Sequence, residues 1–188
     1  MERSKHIGQL SEIEVAMVVE AFRRGDSEAF DVLYAMYKAR IYRFCLHMMT
    51  DEMLAKDAFQ ETFIRMYEHR MELRGQNIGS WLFTIARRAC LNQMRARRQN
   101  HEAFDETYHG SPIEDEIVDV YLREHIERAL AMLPVPLREA LVLREYDGYS
   151  YNEIATIVGI DLSLAKVRVY RARLHMRKLL ADLVEARR

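Results

Sequence analysis

The sequence is poor in the residues that build turns, disulfides and zinc sites. Its 188 residues include 7 glycines, 3 prolines and 2 cysteines. So few glycines and prolines argue against a turn-rich β architecture and favour a mainly helical chain. Cys45 and Cys90 stand alone, without a CxxC pair or a second ligand pair, so neither a disulfide framework nor a zinc site is indicated. We expect both cysteines to be buried, reduced thiols.

Long apolar runs and nucleotide-binding loops are missing as well. No segment approaches the roughly 20 apolar residues of a membrane span, and residues 1–10 lack the apolar core of a signal peptide. Neither GxGxxG nor GxxxxGKS/T occurs. A di-iron bundle needs two Glu-x-x-His runs on helices, and the chain has one such run, at residues 106–109. These absences indicate a cytoplasmic protein without membrane insertion, metal, cofactor or catalytic site.

The charges are separated along the chain, although the net charge is only −1. Residues 82–98 carry five arginines and no acid, and residues 162–188 carry eight lysines or arginines against two acids. Between them lies a block of seven acids without lysine or arginine: Glu102, Asp105, Glu106, Glu114, Asp115, Glu116 and Asp119. Such separation says more about partners than the net charge does, and the basic segments suit a nucleic acid.

Residues 148–173, GYSYNEIATIVGIDLSLAKVRVYRAR, have the pattern of a helix-turn-helix. Ser150 and Glu153 form a capping box that starts a short helix. Gly159 supplies the left-handed position that ends this helix at little steric cost. After a turn to about Leu162, a longer helix is predicted from Ser163. In a helix-turn-helix the second helix enters the major groove, and its first residues reach base edges.

The helix from Ser163 has two different faces. At about 100° per residue its apolar face consists of Ala165, Val169, Ala172, Met176 and Leu179. The opposite face offers Ser163, Lys166, Tyr170 and Arg171 to bases, and Arg168 or Arg173 is expected to contact phosphates. The alternative is an amphipathic helix of a bundle, with a basic face that is merely solvated.

A helix predicted from a cap at Thr50 or Asp51 carries acids on one side. Its other side, which we expect in the core, consists of Ala55, Ala58, Phe59, Thr62, Phe63 and Met66. The acidic side consists of Asp57, Gln60, Glu61, Ile64 and Glu68. A solvated face is the simple interpretation, but an apolar residue ringed by acids favours a protein interface.

The next helix is predicted to begin at Trp81, the only tryptophan, with Ser80 as its cap. Its buried side consists of Leu82, Ile85, Ala86, Ala89 and Cys90, and its outer side of Trp81, Thr84, Arg88, Asn92 and Arg95. An aromatic ring and a flexible loop at the head of an arginine-lined helix suit unstacked bases and a phosphate backbone. Alternatively, the arginines solvate the helix and the tryptophan fills the core.

The sequence predicts an all-α fold of two small helical domains joined by a flexible acidic linker. The first domain covers residues 1–98, the linker residues 99–116, and the second domain, with the helix-turn-helix, residues 117–188. The linker boundaries follow from an abrupt change to polar and acidic residues that include Gly110 and Pro112.

Three stretches resemble the extracytoplasmic-function (ECF) group of bacterial sigma factors. They are DSEAFDVLYAMY at residues 26–37, AKDAFQETFIRMY at residues 55–67 with SWLFTIARRACLNQMRARR at residues 80–98, and LPVPLREALVLREYDGYSYNEIATIVGIDLSLAKVRVYRARL at residues 133–174. Each stretch is moderately specific by itself. Their common order and spacing over residues 26–180 make the resemblance strong.

The resemblance implies a role for each face described above. The helix with Asp57, Gln60, Glu61 and Ile64 would bind the clamp helices of the RNA polymerase β′ subunit. The helix from Trp81 and the loop before it would melt and read the −10 promoter element, and the helix from Ser163 would read the −35 element. The implied partners are core RNA polymerase, through the β′ clamp helices and the β flap, promoter DNA, and an anti-sigma factor.

Two other classes of function remain as alternatives. An autonomous operator-binding regulator would use the helix-turn-helix alone, bind duplex DNA without polymerase, and recognise a palindrome as a dimer. An enzyme is the more distant alternative, because the sequence contains no nucleophile–base pair, metal-ligand spacing or nucleotide loop.

Overall fold

The computed structural model describes residues 11–73, 77–100 and 120–185. In these residues it contains eight α-helices: α1 (Glu12–Arg23), α2 (Ser27–Met49), α3 (Glu52–Glu68), α4 (Ile78–Asn100), α5 (Val120–Ala131), α6 (Val135–Glu145), α7 (Tyr151–Val158) and α8 (Leu162–Glu185). A short 3-10 turn, Arg70–Glu72, follows α3. The predicted all-α class is confirmed. Apart from its first two residues, which end α4, the predicted linker at residues 99–116 lies outside the described residues.

The helix starts follow from short polar side chains at the caps. Ser11 and Ser150 each form a capping box, with Glu14 and Glu153. The Asp26 side chain accepts hydrogen bonds from the backbone N–H groups of the first turn of α2. These bonds satisfy donors that a helix N-terminus otherwise leaves without a partner.

The start of α4 differs from the prediction. The helix begins at Ile78, and Asn77 is its cap, with a side-chain oxygen 2.9 Å from the backbone nitrogen of Gly79 and 3.2 Å from that of Ser80. Ser80 lies inside the first turn and is buried. The predicted cap at Ser80 and start at Trp81 are therefore wrong, because asparagine three residues earlier caps equally well.

Helices α1–α4 form an N-terminal bundle around one apolar core. Its largest fully buried side chains include Phe22, Leu33, Ile41, Phe44, Met48, Met66, Leu82 and Phe83. Cys45 of α2 and Cys90 of α4 are buried free thiols, as predicted. Hydrogen bonding to Cys90, together with burial, raises the pKa of Cys45 well above its ordinary value. Cys45 is therefore held as a neutral thiol, which reacts slowly.

Helices α5–α8 form a C-terminal bundle that contains the helix-turn-helix. Gly159 follows α7 with φ +75°, and its N–H donates to the Ala155 carbonyl at 2.9 Å, as the predicted helix end requires. The Asp161 side chain then caps α8. Ala165, Val169 and Ala172 are buried against α6 and α7, so the predicted apolar face of α8 is confirmed.

The two bundles pack against each other through α2 and α4 on one side and α5, α6 and α7 on the other. Arg138 of α6 is buried at this junction and donates to the carbonyls of Met48, at the end of α2, and of Ala131 and Leu133, at the end of α5. One guanidinium thus satisfies carbonyl groups at the C-termini of helices from both bundles.

Candidate functional site

The outer face of α4 carries the five residues predicted to contact the −10 element. Arg88, Asn92 and Arg95 are exposed, at the three-and-four spacing that keeps them on one side of the helix. Trp81 is half-buried against the core. The Thr84 hydroxyl donates to the Ser80 carbonyl at 2.9 Å. The structure therefore presents a basic surface whose aromatic end is anchored in the bundle.

The outer face of α8 carries the residues predicted to read the −35 element. Lys166 and Arg171 are exposed, and Tyr170 is 68% exposed. The Ser163 hydroxyl donates to Asp161, which is also the cap of the helix. Arg168 differs from the others, because its side chain is only 20% exposed and pairs with Glu139.

A shallow groove between α3 and α4 contains the predicted polymerase-binding residues. Asp57, Gln60, Glu61 and Ile64 line one wall, and Ala89, Asn92, Gln93 and Ala96 line the other. Ile64 is 54% exposed, which leaves a large apolar side chain in water beside two carboxylates. The predicted −10 residue Asn92 borders this groove, so the two candidate surfaces are contiguous.

The sequence analysis missed a buried carboxylate at the junction of the bundles. Glu139 of α6 has a side chain only 2% exposed, between Arg87 of α4 and Arg168 of α8. Its oxygens lie 2.7 Å from Nε of Arg87 and 3.0 Å from Nη1 of Arg168. The signal was the charged pair Arg138 and Glu139 inside the apolar run VPLREALVL, where an unpaired charge is costly.

A second ionic contact joins the bundles beside an aromatic cluster. Arg40 of α2 donates through Nε to the Asp147 carboxylate at 3.2 Å and through Nη2 to its backbone carbonyl at 3.1 Å. The same guanidinium lies over the rings of Phe83 and Tyr149, which contact each other edge to face. A Cβ at Gly79 would lie 2.9 Å from the Tyr149 hydroxyl, so this approach requires glycine.

Two titratable groups at the junction respond to pH in opposite directions. Burial, helped by the nearby charge of Arg43, lowers the pKa of His47 to about 4. Burial also raises the pKa of Asp147 to about 6, although Arg40 opposes this shift. The stability that neutral His47 contributes is present above pH 6.5 and is lost as the pH falls through 4. The contribution of Asp147 is present below about pH 4 and is lost as the pH rises through 6.

These opposite shifts predict opposite pH dependences for two single variants. As the pH falls from 6.5 to 4.5, we expect His47→Gln to gain stability relative to the wild type and Asp147→Asn to lose it, each by up to about 2 kcal/mol. Urea unfolding at several pH values measures both differences in the free energy of unfolding. The contributions of carboxylates that all three proteins share cancel in these differences. Differences that stay constant with pH would contradict the assignment.

The described residues contain neither a metal-ligand group nor a membrane-spanning helix. Residues 11–73, 77–100 and 120–185 contain no group of three or more histidine, cysteine or acidic side chains that could hold a metal ion. Over the same part of the chain, no helix is long and apolar enough to span a bilayer.

Comparison with known families matches both bundles. Residues 33–100 match the family described as Sigma-70 region 2, and residues 123–176 match the one described as Sigma-70, region 4. The first match includes the α3 and α4 surfaces, and the second includes the helix-turn-helix.

Similar proteins extend over nearly the whole chain. The RNA polymerase sigma-H factor of Pseudomonas aeruginosa is 31% identical, over 93% of this chain and 98% of its own length. The ECF RNA polymerase sigma factor SigW of Bacillus subtilis is 27% identical, over 92% of this chain and all of its own length. The solved structure of the sigma factor RpoE of Bartonella quintana with the anti-sigma factor NepR matches with a TM-score of 0.73 and 28% identity, covering 81% of this chain and 96% of that one.

Proposed function

Because the chain belongs to the ECF group of RNA polymerase sigma factors, we propose that its two bundles divide promoter recognition between them. As a sigma factor it confers promoter-specific transcription initiation on core RNA polymerase. In our proposal residues 1–98 form the domain that binds polymerase and the −10 element, and residues 117–188 form the domain that reads the −35 element. The acidic residues 99–116 connect them.

The polymerase-binding surface in this proposal is the groove wall formed by Asp57, Gln60, Glu61 and Ile64. Its carboxylates suit a basic partner surface, and Ile64 gives the apolar centre that a protein interface usually has. An acidic surface of this kind does not suit DNA, which makes it distinct from the neighbouring arginine face of α4.

The −10 surface in this proposal is the outer face of α4, with Trp81, Thr84, Arg88, Asn92 and Arg95. The exposed arginines can follow the phosphate backbone, and the half-buried tryptophan is a rigid platform for an unstacked base. Its position in the first turn, anchored by the core, limits the entropy that stacking costs.

The −35 surface is the outer face of α8, with Ser163, Lys166, Arg168, Tyr170 and Arg171. Lys166 and Arg171 can donate to guanine O6 and N7 in the major groove. Arg168 lies closer to the bundle junction and suits a phosphate contact, once it leaves Glu139.

Replacing Arg171 by alanine tests the −35 surface. We expect the loss of one base contact to weaken binding to the −35 element by about 1–3 kcal/mol, or roughly 5- to 150-fold, and to relax specificity at one base pair. Promoter binding by the reconstituted holoenzyme, measured across single-base variants of the element, gives both quantities. Arg177→Ala removes the same charge later on α8 and should change affinity without changing specificity. A footprint that Arg171→Ala leaves unchanged would count against the surface.

Two further expectations concern where the protein works and what inhibits it. The Bartonella quintana relative was solved with an anti-sigma factor, and we propose that an anti-sigma factor covers the α3 surface of this chain. We also propose that the protein acts in the cytoplasm, where core polymerase and promoters are. No catalytic activity is expected of the chain itself.

The observation that carries the proposal is that exposed basic helices lie in both bundles, within the segments that match sigma regions 2 and 4. The test is transcription from fragmented genomic DNA by core polymerase with and without the protein, followed by mapping of the new transcript starts. Starts that share −10 and −35 sequences support the proposal. Absence of new starts, together with a tight duplex shift by the protein alone, would favour the operator-binding regulator instead.

A further inference from the structure

One buried carboxylate holds both proposed DNA-contacting helices. Glu139 is 2% exposed and bonds Arg87 through two contacts, of 2.7 and 3.3 Å, while Arg168 bonds the same carboxylate at 3.0 Å. Arg87 comes from α4 and Arg168 from α8. A carboxylate that bonds two guanidinium groups makes the contacts that a phosphate makes on DNA.

This arrangement is incompatible with simultaneous contact to both promoter elements. The −10 and −35 elements are separated by about 25 base pairs, or roughly 85 Å of B-form DNA at 3.4 Å per base pair. Helices whose arginines share one carboxylate cannot be further apart than the reach of those two side chains. The bundles must therefore separate before α4 and α8 can occupy the two elements on one duplex.

The contacts at the junction suit a reversible association. Besides Glu139, the junction contains the buried Arg138, which donates to the Met48 carbonyl, the Arg40–Asp147 pair, and Tyr149 packed on Phe83. Each buried ion pair has lost much of its hydration, so its net stabilisation is small. Contacts between domains that are rich in charge are typically ones that open. A large interface with another protein can supply the free energy that opening needs.

We infer that Glu139 is an intramolecular clasp, which holds the free protein in a closed form by occupying one arginine of each DNA-contacting helix. The inference rests on the proposed function of α4 and α8. In the closed form Arg87 and Arg168 are withheld from phosphates, so the free protein binds DNA weakly. Separation of the bundles on core polymerase releases both arginines and allows the −10 and −35 contacts together.

Intramolecular energy transfer measures the closed form without polymerase or promoter. Dyes are attached at Asp31→Cys on α2 and His175→Cys on α8, two exposed positions, while the native cysteines are buried. We expect a single short distance in the wild type and a population at longer distances in Glu139→Gln. The matched control is Glu145→Gln, which removes an equal charge from α6 but breaks only the exposed pair with Arg173 within the C-terminal bundle. The Glu145→Gln protein should show the same short distance as the wild type.

Binding to a 30-base-pair duplex of random sequence gives the second readout. We expect Glu139→Gln to bind this duplex at least about fivefold more tightly than Glu145→Gln at low salt, with a steeper salt dependence, because two more arginines meet phosphates. Equal affinities and equal salt slopes for the two variants would overturn the inference.

Two further outcomes need their own interpretation: a Glu139→Gln protein that unfolds, and a closed wild type that supports no transcription. If Glu139→Gln unfolds the C-terminal bundle, Arg87→Gln takes its place, because it removes the bonds between Glu139 and α4 and leaves the Glu139–Arg168 pair of the C-terminal bundle in place. An opened Arg87→Gln protein supports the clasp, whereas long distances in the wild type, or closed distances in every folded variant, overturn it. A closed wild type that supports no transcription with core polymerase would instead refute the proposed function and leave the distance result intact.

Discussion

Alanine at Asp57, Gln60 and Glu61 together should abolish stable association with core RNA polymerase. We expect a loss of at least about 100-fold in affinity, which is about 2.7 kcal/mol, because these residues surround the exposed Ile64 at the centre of the proposed interface. The substitution also frees Arg65 from its ion pair with Glu61, which adds a positive charge to a surface that should meet a basic partner.

Co-migration with core polymerase on a sizing column, followed by titration with a labelled protein, measures this loss. The matched control carries alanine at Glu12, Glu20 and Glu28, three exposed acids of α1 and α2 away from the α3 groove, and should bind as the wild type does. Salt should weaken the wild-type complex more than the residual binding of the triple variant. Wild-type affinity in the α3 variant would remove this surface from the proposal.

Replacing Arg138 by methionine should cause a large loss of stability. The side chain is 8% exposed, and its guanidinium donates to the carbonyls of Met48, Ala131 and Leu133. Methionine fills much of the same space but leaves these carbonyls without that donor, which should cost about 2–4 kcal/mol. Because the three carbonyls belong to both bundles, the junction should loosen together with α5.

Urea unfolding followed by circular dichroism measures the effect of Arg138→Met. Arg128→Met is the matched control, because Arg128 lies on the exposed side of α5 in an ion pair with Glu124 whose side chains are more than half exposed. That variant should stay within about 0.5 kcal/mol of the wild type. An Arg138→Met protein of equal stability would mean that water replaces the guanidinium without cost.

Local features of the fold could be predicted from the sequence because they depend on neighbours in the chain. The capping box of Ser150 and Glu153 and the left-handed Gly159 involve residues at most four positions apart. The buried sides of α3 and α8 follow from the three-and-four spacing of residues such as Ala58 and Val169. Together these signals define the helix-turn-helix without tertiary information.

The buried side of α1 could not be predicted in the same way. Ile13 and Met17, which fit an apolar stripe in the sequence, are 75% and 68% exposed, while Phe22 is fully buried. The helix contains apolar residues all around, with Val15, Val18 and Val19 partly buried against the core. Only the positions of α2 and the 3-10 turn decide which stripe is covered.

The contacts between the two bundles could be predicted from the sequence even less. Arg87 and Glu139 are 52 positions apart in the chain, and Arg40 and Asp147 are 107 apart. The exposed positions of Arg88, Arg95, Lys166 and Arg171 agree with the predicted DNA surfaces, and the roles of these residues stay predictions. The pairing of Arg168 depends on an acid in another helix, so no local pattern contains it.

The rate at which the two buried thiols of the N-terminal bundle react with a reagent measures how fast this bundle opens. Cys45 on α2 and Cys90 on α4 are both fully buried, so an alkylating reagent can reach them only after these helices separate. At saturating reagent the labelling rate equals the opening rate, and at low reagent it reports the opening equilibrium. Mass spectrometry of the alkylated wild-type protein therefore follows how firmly polymerase or an inhibitor holds this bundle, without an engineered label.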